Sequence, residues 1–316
     1  MLPLVIVLLV YTLAQGTTIE GANASRWIEI PFIGVGFQTS TLAGLVLMVY
    51  VARYLARNKE KIITFKESLL QLWLPVGITL ALILPANFST TAITFSMILL
   101  LTFIGGYPLK YIASVVGIGV IVLTLFVLTT KAFPELMANR VDTWKSRFEN
   151  FSNKDLEEGY QVEKAKIAIA SGGLQGRGPG KSRQKNFLPQ STSDFIFAII
   201  VEEYGLIGAV LVIIVYFFLL FRILIASKKA TSIFATLLII GVGLPIIFQA
   251  MINMAVAVNL FPVTGQTLPL ISSGGTSVWM TCFAIGIILS VTANKEKKEL
   301  RDTEETPLDV LHEAIG

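Results

Sequence analysis

The chain has 316 residues, of which 54% are hydrophobic and 15% are charged, and its mean hydropathy is +0.72. A soluble fold cannot bury so much apolar mass, so the sequence predicts an integral membrane protein. One cysteine excludes a disulfide framework, and one histidine, His312 in a charged tail, excludes a Ser-His-Asp triad and a histidine-ligated zinc. The net charge of +4 comes from basic residues beside apolar runs, a pattern that sets the orientation of a protein in the membrane. It is not the basic stripe of a nucleic-acid-binding protein, so no nucleic-acid partner is expected.

Apolar runs recur along the chain and predict an all-α membrane protein, a polytopic bundle of about eight transmembrane helices. Most runs approach the roughly 20 residues that a membrane crossing requires, and the sixth and seventh are longer. The first run lacks the basic flank and cleavage site of a signal peptide, so it is interpreted as a true span. The runs lie at residues 2–14, 39–55, 69–84, 90–106, 111–130, 195–225, 233–260 and 278–291.

Basic residues follow the second, fourth and sixth runs, at 53–66, 110 and 228–229. The positive-inside rule places these short connections in the cytoplasm, and eight spans then put both termini there as well. Residues 1–293 are predicted to form a single membrane domain with a large extracytoplasmic loop at about 131–193, and residues 294–316 a charged cytoplasmic tail. Because structureless loops of this length are uncommon, the large loop is expected to be functional.

Three carboxylates lie at or inside the sixth run, where an ionised side chain needs protein or water around it. Asp194 opens the run at its outer end, and Glu202 and Glu203 follow about two helical turns later. With no histidine available, a general base on the outer face would be a carboxylate, and Asp194 is best placed for that role. The alternatives are that Asp194 caps the helix and that Glu202 and Glu203 are structural.

Two irregular outer segments are candidates for binding. The glycine-rich stretch 172–180, followed by Lys181, Arg183 and Lys185, can turn backbone amides and cations towards a phosphate, or can form a flexible basic loop near lipid headgroups. The stretch 261–277 is rich in Gly, Pro and hydroxyl side chains. Irregular backbone at membrane depth survives only against protein or water, so this stretch is predicted to be re-entrant and to line a site, with a plain connecting turn as the alternative.

Together these segments resemble the SEDS family (shape, elongation, division, sporulation) of peptidoglycan glycosyltransferases, most closely its FtsW type, without the usual first two membrane helices. Residues 262–277 are similar to the family's P-x-T-G-x-x-L-P-hydrophobic-I-S-x-G-G-S-S signature, and 188–205 to its L-P-E-x-x-T-D-F-I-F-A-x-x-x-E-E-L-G stretch. Residues 159–161 and 172–180 match the large-loop pattern, and 23–27 is similar to N-G-A-R-R-W-I. Departures include Asn87 in place of an aspartate and Ser273 in place of an aromatic residue.

The resemblance implies polymerisation of lipid II, the undecaprenyl-pyrophosphate-linked precursor, into glycan strands on the outer face of the bacterial cytoplasmic membrane during cell division. It implies no covalent cofactor, and a divalent cation, magnesium or manganese, as an aid to the leaving pyrophosphate. The expected partners are a class B penicillin-binding transpeptidase and other divisome membrane proteins at the septum. A lipid II flippase or transporter, and a non-catalytic scaffold for a transpeptidase, are the competing interpretations.

The same resemblance and residue patterns predict the site. Asp194 is the predicted catalytic base, and a larger set is predicted to bind substrate. That set is Arg26, Trp27, Gln38, Ser40, Gln161, Lys181, Arg183, Lys185, Glu202, Glu203, Thr264, Gly265, Pro269, Ser272, Gly274, Gly275 and Ser277.

Overall fold

A computed structural model of the chain describes residues 1–16, 27–29, 36–61, 63–132 and 159–304, which form a helical bundle. Two three-residue strands, β1 (Trp27–Glu29) and β2 (Gly36–Gln38), pair antiparallel ahead of the second helix. The helices are α1 (Leu2–Gln15), α2 (Thr39–Arg57), α3 (Phe65–Ile83), α4 (Phe88–Ile104), α5 (Leu109–Ala132), α6 (Tyr160–Gly172), α7 (Ile196–Lys229), α8 (Ile233–Ala257) and α9 (Gly275–Glu304).

Eight of the described helices are apolar, in agreement with the predicted polytopic fold. Six of them, α2, α3, α5, α7, α8 and α9, are long and apolar enough to cross a membrane, and α1 and α4 are shorter apolar helices of 14 and 17 residues. The remaining helix, α6, lies in the segment predicted as a large loop. That segment is therefore helical in part, and its residues 133–158 lie outside the described residues.

Helix α8 lies at the centre of the bundle. In its most apolar stretch 61% of the residues are buried, against 6% in α5 at the periphery. It contributes to both large apolar clusters, through Leu237 and Val242 on the side of α2, α3 and α4, and through Ile239 and Ile247 on the side of α6 and α7. A helix that is apolar all round must be buried by protein or by lipid, and α8 is buried by protein.

Helix α3 contains an irregular turn that its proline explains. Residues Leu69–Trp73 form a π-helical turn that ends two residues before Pro75. Pro75 has no N–H to donate to the carbonyl of Gln71, four residues earlier. The hydroxyl of Tyr50 on α2 donates to that carbonyl instead. A side chain of the neighbouring helix thus satisfies the backbone group that the proline leaves free.

Helix α7 is interrupted at Gly205, whose φ of 67° and ψ of −164° are not helical. The prediction of a single long helix over 195–225 is therefore wrong, because residues 196–204 and 206–229 are separate helices. The second is long enough to cross a membrane at 1.5 Å per residue. The first, which carries Glu202 and Glu203, precedes the break.

The break bends the chain sharply. A straight helix would separate residues 193 and 216 by about 34 Å. Ser272 donates a hydrogen bond to the Ser193 carbonyl, and Tyr216 donates one to the Pro269 carbonyl. Even with the Tyr216 and Ser272 side chains fully extended, the path through these two hydrogen bonds and the three residues from 269 to 272 is shorter than that distance, so residue 216 lies closer to residue 193 than a straight helix allows.

Candidate active site

Asp194 lies at the end of the bundle where several helix termini are joined by hydrogen bonds, here called the Asp194 end. Gln266 Nε2 donates to Thr90 Oγ1 in the first turn of α4, at 3.0 Å. Thr276 Oγ1, in the first turn of α9, donates to the Gly36 carbonyl in β2, at 2.8 Å. Together with a hydrogen bond from Asn253 of α8 to the Asp194 carbonyl, these contacts collect the starts of α2, α4, α7 and α9 around the end of α8.

The chain between α8 and α9 folds back along α8. It leaves the helix at Ala257, yet Gln249 Nε2 donates to the carbonyl and hydroxyl of Thr267, at 3.0 and 3.1 Å. Asn253 Nδ2 donates to the Gln266 carbonyl at 2.7 Å. Gln249 lies about two turns, or roughly 12 Å, before the end of the helix. Residues 258–274 are therefore re-entrant, not a plain connecting turn, and are called the re-entrant loop below.

Hydroxyl groups hold the shape of the re-entrant loop. Ser272 Oγ accepts from the Leu268 amide at 2.7 Å and donates to the Ser193 carbonyl at 2.6 Å. Thr267 Oγ1 donates to Ser277 Oγ at 2.7 Å. Both predicted binding residues, Ser272 and Ser277, thus contact protein groups that fix the loop against the start of α7 and α9.

Leu270 of the re-entrant loop has a strained backbone. Leu270 has a φ of 66°, which is uncommon for a side chain with a Cβ. The preceding carbonyl, that of Pro269, accepts a hydrogen bond of 2.5 Å from the buried Tyr216 of α7. Because such a conformation persists only where the surroundings hold it, this contact with α7 helps to define the loop.

Asp194 lies where the re-entrant loop meets the turn ahead of α7. The residue is half-buried, and its carbonyl accepts from Asn253 Nδ2 at 2.7 Å. Its Oδ2 lies 3.5 Å from the position that a Cβ would take on Gly265. The helix begins at Ile196 with Phe195 as its N-cap residue. The carboxylate thus belongs to the turn before the helix and faces the re-entrant loop.

Glu202 is fully buried and is bonded to the segment 172–185, called here the Gly-rich segment. Its carboxylate accepts from the Ser182 hydroxyl at 2.5 Å and from the amides of Arg183 and Gln184 at 3.0 and 3.2 Å. Glu203 accepts from the Ser182 amide at 3.3 Å. Buried carboxylates require such partners, so these contacts favour the structural alternative for Glu202 over substrate binding. Glu203 is only half-buried.

The backbone of the Gly-rich segment also packs on the break in α7. Four backbone hydrogen bonds of 2.9–3.3 Å join the two, and they pair the groups that lose helical partners at Gly205. They run from the amides of Arg177 and Gly178 to the carbonyls of Glu202 and Glu203, and from the amides of Leu206 and Ile207 to the carbonyls of Gly173 and Leu174.

The predicted cations Lys181, Arg183 and Lys185 are exposed on the Gly-rich segment. Lys185 Nζ donates to the Gly180 carbonyl at 3.0 Å. Because Glu202 holds the backbone beneath them, these cations belong to an anchored segment and not to a freely flexible loop.

Trp27 and Gln38, both predicted to bind substrate, face each other across the paired strands β1 and β2. Thr276 ties this pair to α9 through the Gly36 carbonyl. The structure therefore brings two distant stretches of sequence to the Asp194 end. Arg26 lies outside the described residues.

The other predicted residues are spread more widely. Ser40 is buried in a small cleft with Leu9 and Thr12, between α1, α2 and α3. Gln161 is half-buried in the first turn of α6. Within the stretch 261–277, Thr264 is half-buried, Gly274 packs against Thr267, and Gly275 begins α9.

The sequence predictions missed the two side-chain amides of α8. Gln249 and Asn253 stand four residues apart, and thus on one face of an apolar helix. Polar side chains inside membrane helices commonly bond across helices. Their spacing within the run 233–260 was the signal that could have identified them.

In the part of the chain that the structure describes, no group of three or more His, Cys, Asp or Glu side chains could hold a metal ion.

The fold and the site define a polytopic membrane protein that holds a carboxylate between a broken helix and a re-entrant loop. The sequence pattern of the FtsW, RodA and SpoVE family, described as cell cycle proteins, matches residues 1–297. The chain belongs to this family, as the resemblance predicted, and is a multi-pass membrane protein.

Relatives and solved structures agree with this assignment. A probable peptidoglycan glycosyltransferase FtsW of Hydrogenovibrio crunogenus is 35% identical over 291 residues, which cover 90% of this chain and 72% of the relative. The protein of the same name from Escherichia coli O157:H7 is 32% identical over 294 residues, covering 90% of this chain and 67% of that protein.

Two solved structures share the fold. The rod shape determining protein RodA of Thermus thermophilus has a TM-score of 0.61 at 23% identity, covering 93% of this chain and 76% of that chain. A chain of a peptidoglycan synthase complex that coordinates polymerization and crosslinking has a TM-score of 0.68 at 22% identity, covering 93% and 80%.

Proposed function

We propose that this chain polymerises lipid II into glycan strands and releases undecaprenyl pyrophosphate. Family membership and the names of the two FtsW relatives support a peptidoglycan glycosyltransferase. The observation in this chain that carries the proposal is the position of Asp194. Its half-buried carboxylate is held by backbone contacts in the turn ahead of α7 and faces Gly265 of the re-entrant loop.

In this proposal Asp194 is the general base. The 4-hydroxyl of the sugar on one lipid II molecule attacks the anomeric carbon of the growing strand, and the Asp194 carboxylate takes the hydroxyl proton. The bond between that carbon and the pyrophosphate breaks, and undecaprenyl pyrophosphate leaves with the electron pair, with inversion at the carbon. Lys181, Arg183 and Lys185 offset the charge of the leaving group. A magnesium or manganese ion arriving with the pyrophosphate would add positive charge without a cage of protein ligands.

The proposal sets the Asp194 end on the outer face of the bacterial cytoplasmic membrane, with both termini and the tail 294–316 in the cytoplasm. Basic residues at the opposite helix ends support this orientation. Arg57 ends α2, Lys66 lies in the first turn of α3, and Lys228 and Lys229 end α7.

The proposed partner is a class B penicillin-binding transpeptidase, which would crosslink the new strands at the division septum together with other divisome membrane proteins. The shared fold with a chain of a peptidoglycan synthase complex supports a partner of this kind.

The test is polymerisation of purified lipid II by the full chain co-purified with its transpeptidase. Asp194→Asn keeps the side-chain shape but cannot take a proton at neutral pH, so the rate should fall by at least about 100-fold while the complex still forms. The matched control is Glu163→Gln, the same chemical change on an exposed residue of α6, which should keep the wild-type rate. A rate for Asp194→Asn within about tenfold of wild type would reject the role of Asp194.

The same preparation separates the competing functions. A folded wild-type complex that binds lipid II and makes no glycan would support a scaffold. Transfer of labelled lipid II across the bilayer of reconstituted vesicles, again without glycan, would support a flippase.

A further inference from the structure

We infer that Asn253 of α8 is a positioning residue for Asp194, and that it sets the distance between this carboxylate and the re-entrant loop. The inference rests on the proposed role of Asp194 as the base. Asn253 is 1% exposed. Its Nδ2 donates to the carbonyls of both Asp194 and Gln266, each at 2.7 Å. One side chain therefore bonds the two pieces of backbone that face each other across the proposed site.

These partners fix the orientation of the Asn253 amide. Both are carbonyl oxygens, which only accept hydrogen bonds, so the amide nitrogen must face them. With the amide rotated by half a turn, Oδ1 would lie against two other oxygens. In the observed orientation Oδ1 is buried and has no hydrogen-bond partner among the described residues.

The two carbonyls lie next to the groups that matter for the reaction. The carbonyl of Asp194 is attached to the same Cα as the proposed base. Gln266 follows Gly265, where an added Cβ would lie 3.5 Å from Asp194 Oδ2. A shift of either backbone by about 1 Å changes the distance from the carboxylate to the hydroxyl that it deprotonates, and a misplacement of that size can cost about 100-fold in rate. Asn253 therefore acts by holding the Asp194 carboxylate at the right distance from the reacting hydroxyl, and not by contact with substrate.

Gln249, one turn earlier on α8, provides a matched comparison. Its Nε2 also donates twice to the re-entrant loop, in both cases to Thr267, at 3.0 and 3.1 Å. Asn253→Leu and Gln249→Leu each remove two such donated hydrogen bonds. Only Asn253→Leu removes the bond to Asp194.

The experiment measures kcat and KM for lipid II, and the thermal unfolding midpoint, for complexes of the full chain with its transpeptidase. Asn253→Leu should lower kcat by at least about tenfold with KM within about threefold of wild type, and its midpoint should fall no further than that of Gln249→Leu. Asn253→Ser keeps one donor and should have an intermediate kcat. If Asn253→Leu does not fold, Asn253→Ser is compared with Gln249→Ser. The inference then requires a larger loss of kcat for Asn253→Ser than for Gln249→Ser.

A double variant tests whether Asn253 acts through Asp194. In the Asp194→Asn background, Asn253→Leu should change the residual rate by no more than about twofold, because the carboxylate that it positions is gone. Equal losses of kcat for the Asn253 and Gln249 variants, in step with their midpoints, would overturn the inference and leave the proposed function standing. A rate near wild type for Asp194→Asn alone would reject the proposed function and the inference with it.

Discussion

Replacing Gly205 with alanine should destabilise the protein at the break in α7. The φ of 67° and ψ of −164° lie in a region that is essentially reserved for glycine, and forcing another residue into it costs about 1–3 kcal/mol. An added Cβ would also lie 2.3 Å from the Leu174 carbonyl oxygen and 2.4 Å from the Gly176 amide nitrogen. Since ordinary contact begins near 3.4 Å, the Gly-rich segment would have to move by about 1 Å.

That movement would break the four backbone hydrogen bonds between the Gly-rich segment and the break, each worth about 1 kcal/mol. Gly205→Ala should therefore lose about 4 kcal/mol of unfolding free energy beyond the backbone strain. Gly173→Ala is the matched control. Its φ of 54° and ψ of −145° fall in a similar backbone region, but no atom lies within 4 Å of its added Cβ. The control should lose only the backbone strain, about 1–3 kcal/mol.

The assay is thermal unfolding of the detergent-purified wild type and both variants, followed by tryptophan fluorescence. Gly173→Ala should unfold below wild type, and Gly205→Ala should unfold at a clearly lower temperature than Gly173→Ala. Equal midpoints for the two variants would contradict this prediction, because the contacts across the break would then contribute nothing to stability.

Two further predictions concern orientation and the re-entrant loop. In a Cys282→Ser background, a cysteine in place of Lys181 should react with an impermeant thiol reagent in intact cells and one in place of Lys297 should not; the opposite pattern would overturn the proposed orientation. Ser272→Ala removes a hydroxyl that makes two hydrogen bonds, so the free energy of unfolding should fall by about 2 kcal/mol. Ser273→Ala loses the single bond of an exposed hydroxyl and should cost less, and an equal loss would contradict this account.

The sequence predicts a membrane protein, most of its helices and Asp194 as a candidate functional residue. These predictions were possible because they depend on local properties of the chain. A run of about 20 apolar residues satisfies its own backbone hydrogen bonds as a helix, so its hydropathy alone indicates a span. Asp194 stood out because an ionised side chain at the edge of such a run is costly without a purpose. The glycines and prolines of 261–277 likewise indicated irregular backbone, and the structure shows that the chain folds back there.

The break in α7 and the hydrogen-bond partners of Glu202 and Asn253 depend on contacts between distant parts of the chain, so they are visible only in the tertiary structure. The run 195–225 is apolar on both sides of Gly205, and a glycine inside a helical run does not by itself end the helix. The helix stops there because the Gly-rich segment, far earlier in the chain, supplies the hydrogen bonds that the break requires. Asn253 reaches carbonyls 59 and 13 residues away. The spacing of Gln249 and Asn253 could have marked both side chains as polar contacts of α8. It could not have identified the partners of Asn253, because these are backbone carbonyls, which every residue possesses.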